Sequence, residues 1–160
     1  MSADLHRSPV NQTWMHEAIK EAKKAYREGE IPVGAIVVHE NKIIGRGYNQ
    51  VELLQDPTAH AEMIAITAAA NHLQSKWLHD STLYVTIEPC PMCAGAIVLS
   101  RMKRVVYGVP DVKTGAHSSL FNLLNDPRLN HQVEVVPGMQ REACSILMID
   151  FFKSLRKDDN

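Results

Sequence analysis

The sequence predicts an α/β fold of three layers, α/β/α, with one sheet held between two layers of helices. Three observations predict it. Five short runs of β-branched and apolar residues alternate with stretches of helical apolar spacing. Turn signals built on proline, glycine or asparagine break the chain between them. The 160 residues, 45% of them hydrophobic, are the size of one domain that buries about two thirds of its unfolded surface.

Thr13 is placed to cap a first helix, in which Met15, Ile19, Ala22 and Tyr26 fall at helical spacing and Gly29 suits the end. The run Gly34–His39 is apolar and β-branched. Asn41 and Lys42 make a turn, and Ile43–Asn49 returns as the second strand of a hairpin. Asp56-Pro57-Thr58 stops the chain again, and an alanine-rich helix follows from about His60 to Gln74. Thr82–Ile87 is a third strand, broken by Glu88-Pro89-Cys90-Pro91. Met92–Ser100 is a compact apolar helix and Arg104–Tyr107 a fourth strand. A long polar segment carries a helical piece near Ser118–Leu124. Gln132–Val136 is the fifth strand, ended by Pro137-Gly138, and Ala143–Arg156 is an amphipathic helix. No repeat or linker interrupts the chain, so 1–160 is read as a single domain with flexible ends at 1–12 and 157–160. The order of the strands is not readable from this pattern.

The formal net charge is -1, so any nucleic-acid site must be a local patch or depend on shape. The first nine residues are polar, and no run of 18 apolar residues suggests a membrane span. Three cysteines, an odd count, fit a reducing cytoplasm, where closely spaced cysteines more often bind metal than form disulfides.

The chemistry lies in H-A-E at His60-Ala61-Glu62 and P-C-P-M-C at Pro89–Cys93. Pro91 suits the first position of a helix, which puts Cys90 at the cap and Cys93 on the same face. The positive end of the helix dipole favours the thiolate form that binds zinc. His60 opens its own helix after the Asp-Pro-Thr break. His60 and Glu62 are two apart and do not face each other on a regular helix. They converge only if the site lies off the helix end. Two helix N-termini are therefore expected to point at one Zn²⁺, with His60, Cys90 and Cys93 as ligands and a fourth position open for water. Glu62 is the expected proton carrier, a base toward water and then an acid toward the leaving amine. Cys144, inside the last helix, reads as a small buried hydrophobe and less readily as a fourth ligand. His117, near Lys113, is a weaker candidate for touching substrate. His6, His16, His39, His72, His79 and His131 read as surface or capping residues.

This pairing of motifs is the signature of zinc nucleobase deaminases. From Trp14 to Arg156 the chain resembles the bacterial tRNA-specific adenosine deaminases of the cytidine deaminase-like superfamily. The resemblance rests on I-P-V-G-A-I-V-V at Ile31–Val38, D-P-T-A-H-A-E at Asp56–Glu62, T-L-Y-V-T-I-E-P-C-P-M-C-A-G-A at Thr82–Ala96, D-V-K-T-G-A at Asp111–Ala116 and Asn130-His131. Guanine and cytosine deaminases share the zinc motifs. The D-x-K-T-G-A segment, the N-H pair and the closing Phe151-Phe152 helix favour the tRNA enzymes.

The resemblance implies conversion of adenosine to inosine at the wobble position of an arginine tRNA anticodon stem-loop, one zinc per subunit, a homodimer and a five-stranded mixed sheet. It implies that Asn49 hydrogen-bonds the purine and that the backbone at Ala61 and Pro89 lines the base pocket. Asp111 and Lys113 would contact flanking nucleotides, and Phe151 would pack near flipped-out ones. On composition alone, Phe151 and Phe152 read as core plus one exposed ring. Lys153, Arg156 and Lys157 form a basic end whose default is a solvated face and whose alternative is phosphate contact. No DNA and no membrane partner are expected. Gln50 stands where many relatives carry a basic residue, and Val109-Pro110 is an unusual entry to the Asp111 segment. Two other readings stay open: deamination of a free base such as guanine, and a non-catalytic RNA-binding module whose zinc has a fourth protein ligand.

Overall fold

The computed structural model describes residues 8–159. Its elements, in chain order, are α1 (Pro9–Arg27), β1 (Gly34–His39), β2 (Lys42–Tyr48), α2 (Val51–Leu54), α3 (Ala61–Leu73), β3 (Thr82–Ile87), α4 (Pro91–Leu99), β4 (Arg104–Val109), β5 (Glu134–Val136) and α5 (Arg141–Asp158). The sheet order is β2-β1-β3-β4-β5. β1 is antiparallel to both β2 and β3, while β3, β4 and β5 are mutually parallel. The sheet is therefore mixed: four strands share one direction and β1 runs against them.

Alternate residues of each strand enter opposite cores, as the period of two requires. Ala35, Val37, Leu83, Val85, Val105 and Tyr107 pack with the alanines of α3 and with Ala94 and Ile97 of α4. Ile36, Val38, Tyr84, Val106 and Val136 pack on the other face, against Met15, Ala18 and Ile19 of α1 and Cys144 of α5. These are the two helical layers expected from the alternation of elements.

Several boundaries differ from expectation, each for a local reason. α1 starts at Pro9 because Ser8, not Thr13, caps it and Pro9 occupies the first turn. Of the ends expected to be flexible, residues 1–7 and 160 lie outside the described residues. Pro9–Gln12 and Lys157–Asp158 belong to helices, and buried Asn11 accepts the Tyr84 hydroxyl at 2.7 Å. The hairpin turn is Glu40-Asn41, both with positive φ, so Lys42 already belongs to β2. The expected helical piece at Ser118–Leu124 is irregular, with turns only at its two ends. β5 is three residues long, starting at Glu134.

β2 carries glycine at positions 45 and 47, where α3 crosses it. A Cβ on Gly47 would collide with the Ala61 carbonyl oxygen, and one on Gly45 with that of Ala65. The glycines let the helix backbone lie directly on the strand, which sets the height of its N-terminal residues. Gly47→Ala is expected to destabilise the fold by about 1–3 kcal/mol, the usual cost of overpacking, and to lower activity by displacing the start of α3. Denaturant melts read the first effect; an unchanged midpoint would contradict it.

Candidate active site

β2, β3 and β4 run in the same direction, so the segments that follow them emerge at one rim of the sheet. β2 leads through α2 to α3, and β3 leads directly to α4. His60 is the N-cap of α3, in an extended conformation, and Cys90 is the N-cap of α4, with Pro91 in the first turn. Neither side chain caps its own helix. Both instead meet Cys93: Nδ1 of His60 lies 3.6 Å from Sγ of Cys90 and 3.5 Å from Sγ of Cys93. All three donor atoms fall within 4.8 Å of one another.

The spacing can be tested against zinc. Bonds of ~2.3 Å to sulfur and ~2.0–2.1 Å to nitrogen at a tetrahedral angle separate S and N by about 3.5–3.6 Å. The residues fit. Among the described residues the group holds three such donors and no fourth, which leaves one tetrahedral position for water or substrate. A structural zinc would be closed by four. Cys144 lies in the core on the opposite face of the sheet, where burial pushes its thiol up to about 12. The two ligand thiols form a hydrogen-bonded pair that holds Cys90 down at about 4, with His60 adding to the effect against burial. The same bond, together with burial, raises Cys93. The pair alone thus favours one thiolate, and a dication is what favours two.

Glu62, in the first turn of α3, is 3% exposed. Its carboxyl lies against the Cys93 thiol and faces the same cavity as His60 and Cys90. The conflict between positions two apart is resolved by the cap. His60 has ψ 150°, outside the helix, so its side chain does not follow the helical rotation. Burial raises the Glu62 carboxyl above its ordinary value, opposed by a backbone hydrogen bond and by the positive His60.

The sequence model described as the cytidine and deoxycytidylate deaminase zinc-binding region matches residues 8–109, the stretch that holds both motifs. The chain belongs to this deaminase family. It is 50% identical over 147 residues to the tRNA-specific adenosine deaminase of Bacillus subtilis, covering 92% of this chain and 91% of that one. It is 50% identical over 143 residues to that of Aquifex aeolicus, covering 88% and 93%. A solved structure from biochemical and structural studies of A-to-I editing by tRNA:A34 deaminases at the wobble position of transfer RNA superposes with a TM-score of 0.81 and 36% identity. It covers 84% of this chain and 98% of that chain. A guanine deaminase from Nitrosomonas europaea shares the fold, with a TM-score of 0.76 at 22% identity over 88% of this chain and 83% of that one.

In this deaminase the cavity at the metal ligands has a volume of about 860 Å³. Asn49, Ala61, Asp111, Lys113 and Phe151 are among the residues that line it. The Asn49 amide donates to the Ile31 carbonyl at 3.2 Å and accepts the Val51 N–H at 3.3 Å, which leaves one N–H and one lone pair for a ligand. Asp111 accepts the Thr114 hydroxyl at 2.7 Å and the N–H groups of Lys113 and Thr114.

Three candidates are placed as follows. Pro89 is buried, and its carbonyl accepts the Ala116 N–H at 2.8 Å. Phe151 is 4% exposed and packs edge-on against Tyr26 and Phe152, and Phe152, also in the cavity wall, is the more exposed of the two rings. His117 stands outside the wall, with Nδ1 3.0 Å from the Tyr107 hydroxyl. The basic side chains of Lys153, Arg156 and Lys157 are exposed and also outside it. Of the histidines read as surface or capping residues, His6 lies outside the described residues. His131 is half-buried, with Nε2 2.6 Å from the Met102 carbonyl oxygen.

Two carboxylates were not singled out in the sequence. Glu30 accepts the N–H groups of Glu52 (3.2 Å) and Leu53 (2.6 Å), and Glu88 accepts donors from the segment after β4. Both are almost fully buried and both line the cavity. For Glu88 the available signal was an acidic residue directly after an apolar strand; Glu30, beside Arg27 and Glu28, carried none.

Proposed function

We propose that the protein hydrolyses adenosine to inosine and ammonia at the wobble position of tRNA, in the anticodon loop of an arginine tRNA. The observation that carries this reading is the three-donor site with Glu62 beside it, in a chain half identical over about nine tenths of its length to tRNA-specific adenosine deaminases. His60, Cys90 and Cys93 would hold a Zn²⁺, which would supply Lewis acidity when bound, making hydroxide accessible at neutral pH. Glu62 takes one proton of the attacking water and delivers it to purine N1, then carries the remaining proton from the new C6 hydroxyl to the leaving amine, so that ammonia departs as the C6 carbonyl forms. One carboxylate serves throughout because these transfers are sequential. Asn49 offers its remaining N–H and lone pair to the purine edge. The cavity is much larger than one base and continues over Asp111, Lys113 and α5, which suits a base presented with its neighbours. A wobble base is unpaired in its loop, so turning it into the cavity costs less than opening a duplex.

The active form is proposed to be a homodimer. α4 is apolar all round, yet Leu99 is 73% exposed and Met92 and Ala96 are half-buried. A helix of that composition calls for a cover, and a second copy supplies one. Sedimentation as a monomer would contradict this. Among the described residues no helix is long and apolar enough to cross a membrane, and all three cysteines are unpaired. A reducing cytoplasm is the proposed location.

The test is incubation with an arginine tRNA carrying adenosine at the wobble position, beside free guanine and free adenosine. Inosine at that one position is the expected result, with affinity falling as salt rises. Ammonia from guanine with untouched tRNA would overturn the substrate. Silence on all three, with zinc bound, would leave a non-catalytic module.

A further inference from the structure

Glu88 stands between β3 and the ligand Cys90 and is 1% exposed. Its Oε1 accepts the Asp111 N–H at 3.2 Å and the Ser119 hydroxyl. Its Oε2 accepts the N–H groups of His117 (3.0 Å), Ser118 (3.1 Å) and Ser119 (3.2 Å). All five donors come from the loop after β4. A carboxylate so buried is costly unless its oxygens are met by donors, and here they are. A Cβ on Gly115 would strike this carboxylate, so the loop closes over Glu88 only with glycine there. Two backbone bonds fix the ends: Glu88 N–H to the Val109 carbonyl at 2.9 Å, and Ala116 N–H to the Pro89 carbonyl at 2.8 Å. The segment that carries Asp111 and Lys113 is wound around a single side chain.

We propose that Glu88 is a positioning residue for RNA recognition. It holds the Asp111–Lys113 loop where flanking nucleotides reach it, so substrate affinity depends on Glu88 and the chemical step does not. The proposal rests on the function assigned above. Glu88→Gln replaces one acceptor by an amide NH₂ that faces N–H groups, and part of the set is lost. Hydrogen exchange at the amides of Asp111, His117, Ser118 and Ser119 is expected to accelerate. KM for an anticodon stem-loop is expected to rise about tenfold or more, the loss typical of hydrogen bonds to a charged group. Bound zinc and kcat at saturation stay within about twofold. On a stem-loop made abasic at the flanking nucleotides, variant and wild type should share one KM. Where Glu88→Gln does not fold, Ser119→Ala removes only the hydroxyl donor and should move exchange and KM in the same directions by less.

Faster exchange with unchanged KM would overturn the proposal. So would a fall in kcat or zinc at constant KM, which would mean that Glu88 acts through Cys90. An equal KM penalty on the abasic substrate would show general destabilisation and overturn it as well. Failure of the wild type to deaminate the intact stem-loop would overturn the functional reading itself, and it is told apart because it appears before any substitution.

Discussion

Glu62→Ala is expected to bind one zinc per chain, to melt as a folded protein, and to turn over at least ~10²-fold more slowly than wild type. The three donors that hold the ion, His60, Cys90 and Cys93, are untouched by the change. The lost group is the one proposed to carry protons between water, ring and amine. Glu62→Gln, which keeps the shape of the buried side chain, should be as slow, and that separates lost chemistry from a cavity left in α3. The pH dependence follows from the same burial. The carboxyl is raised above its ordinary value, and only its ionised form can accept a proton. Activity should therefore fall on the acid side as pH drops through that raised value, and Glu62→Ala should have lost this limb. Near-normal turnover in either zinc-loaded variant would remove Glu62 from the mechanism.

Cys90→Ala and Cys93→Ala should each lose the metal and all measurable activity, and should melt about 10 °C or more below the zinc-loaded wild type. The size follows from linkage. A ligand present at about a thousand times its dissociation constant contributes about 4 kcal/mol, and each kcal/mol moves the melting point of a chain this long by about 2–4 °C. A bound ion would tie His60 to sulfurs 30 and 33 residues further along, so its loss would also release a long loop. Chelator is the control: it should bring the wild type down toward the variants and leave the variants where they are. A variant with full zinc and an unshifted midpoint would show that its cysteine is not a ligand.

The zinc ligands were legible because their chemistry is local. Each of His60 and Cys90 follows a break and opens a helix, and a residue in that position faces off the helix end whatever the rest of the chain does. The strands were legible from β-branched runs, and the two faces of the sheet from their alternation. What escaped depends on distant partners. α2 has four residues and is held by Glu30, more than twenty positions earlier, so no local periodicity announces it. Residues 118–124 have helical composition, but their loop gives its N–H groups to Glu88 and winds around it instead. Phe151 and Phe152 are neighbours of the same type. Only the packing of α5 on Tyr26 decides which is buried. The strand order, with β1 reversed among its neighbours, carries no signature in the order of elements.

The rim of the sheet has a further meaning. The segments leaving β2 and β3 bring the metal ligands and the proton carrier, while the segment leaving β4 brings Asp111 and Lys113. The metal donors and the segment proposed to meet flanking nucleotides thus lie on separate stretches of chain. Among the described residues the β4 stretch meets the ligand segment at two places only, the Glu88 carboxylate with its backbone N–H and the Pro89 carbonyl, so a change in it that keeps those bonds leaves the metal donors where they are. Glu88, on the β3 side, is where that freedom ends: whatever replaces the loop must still supply donors to a buried anion.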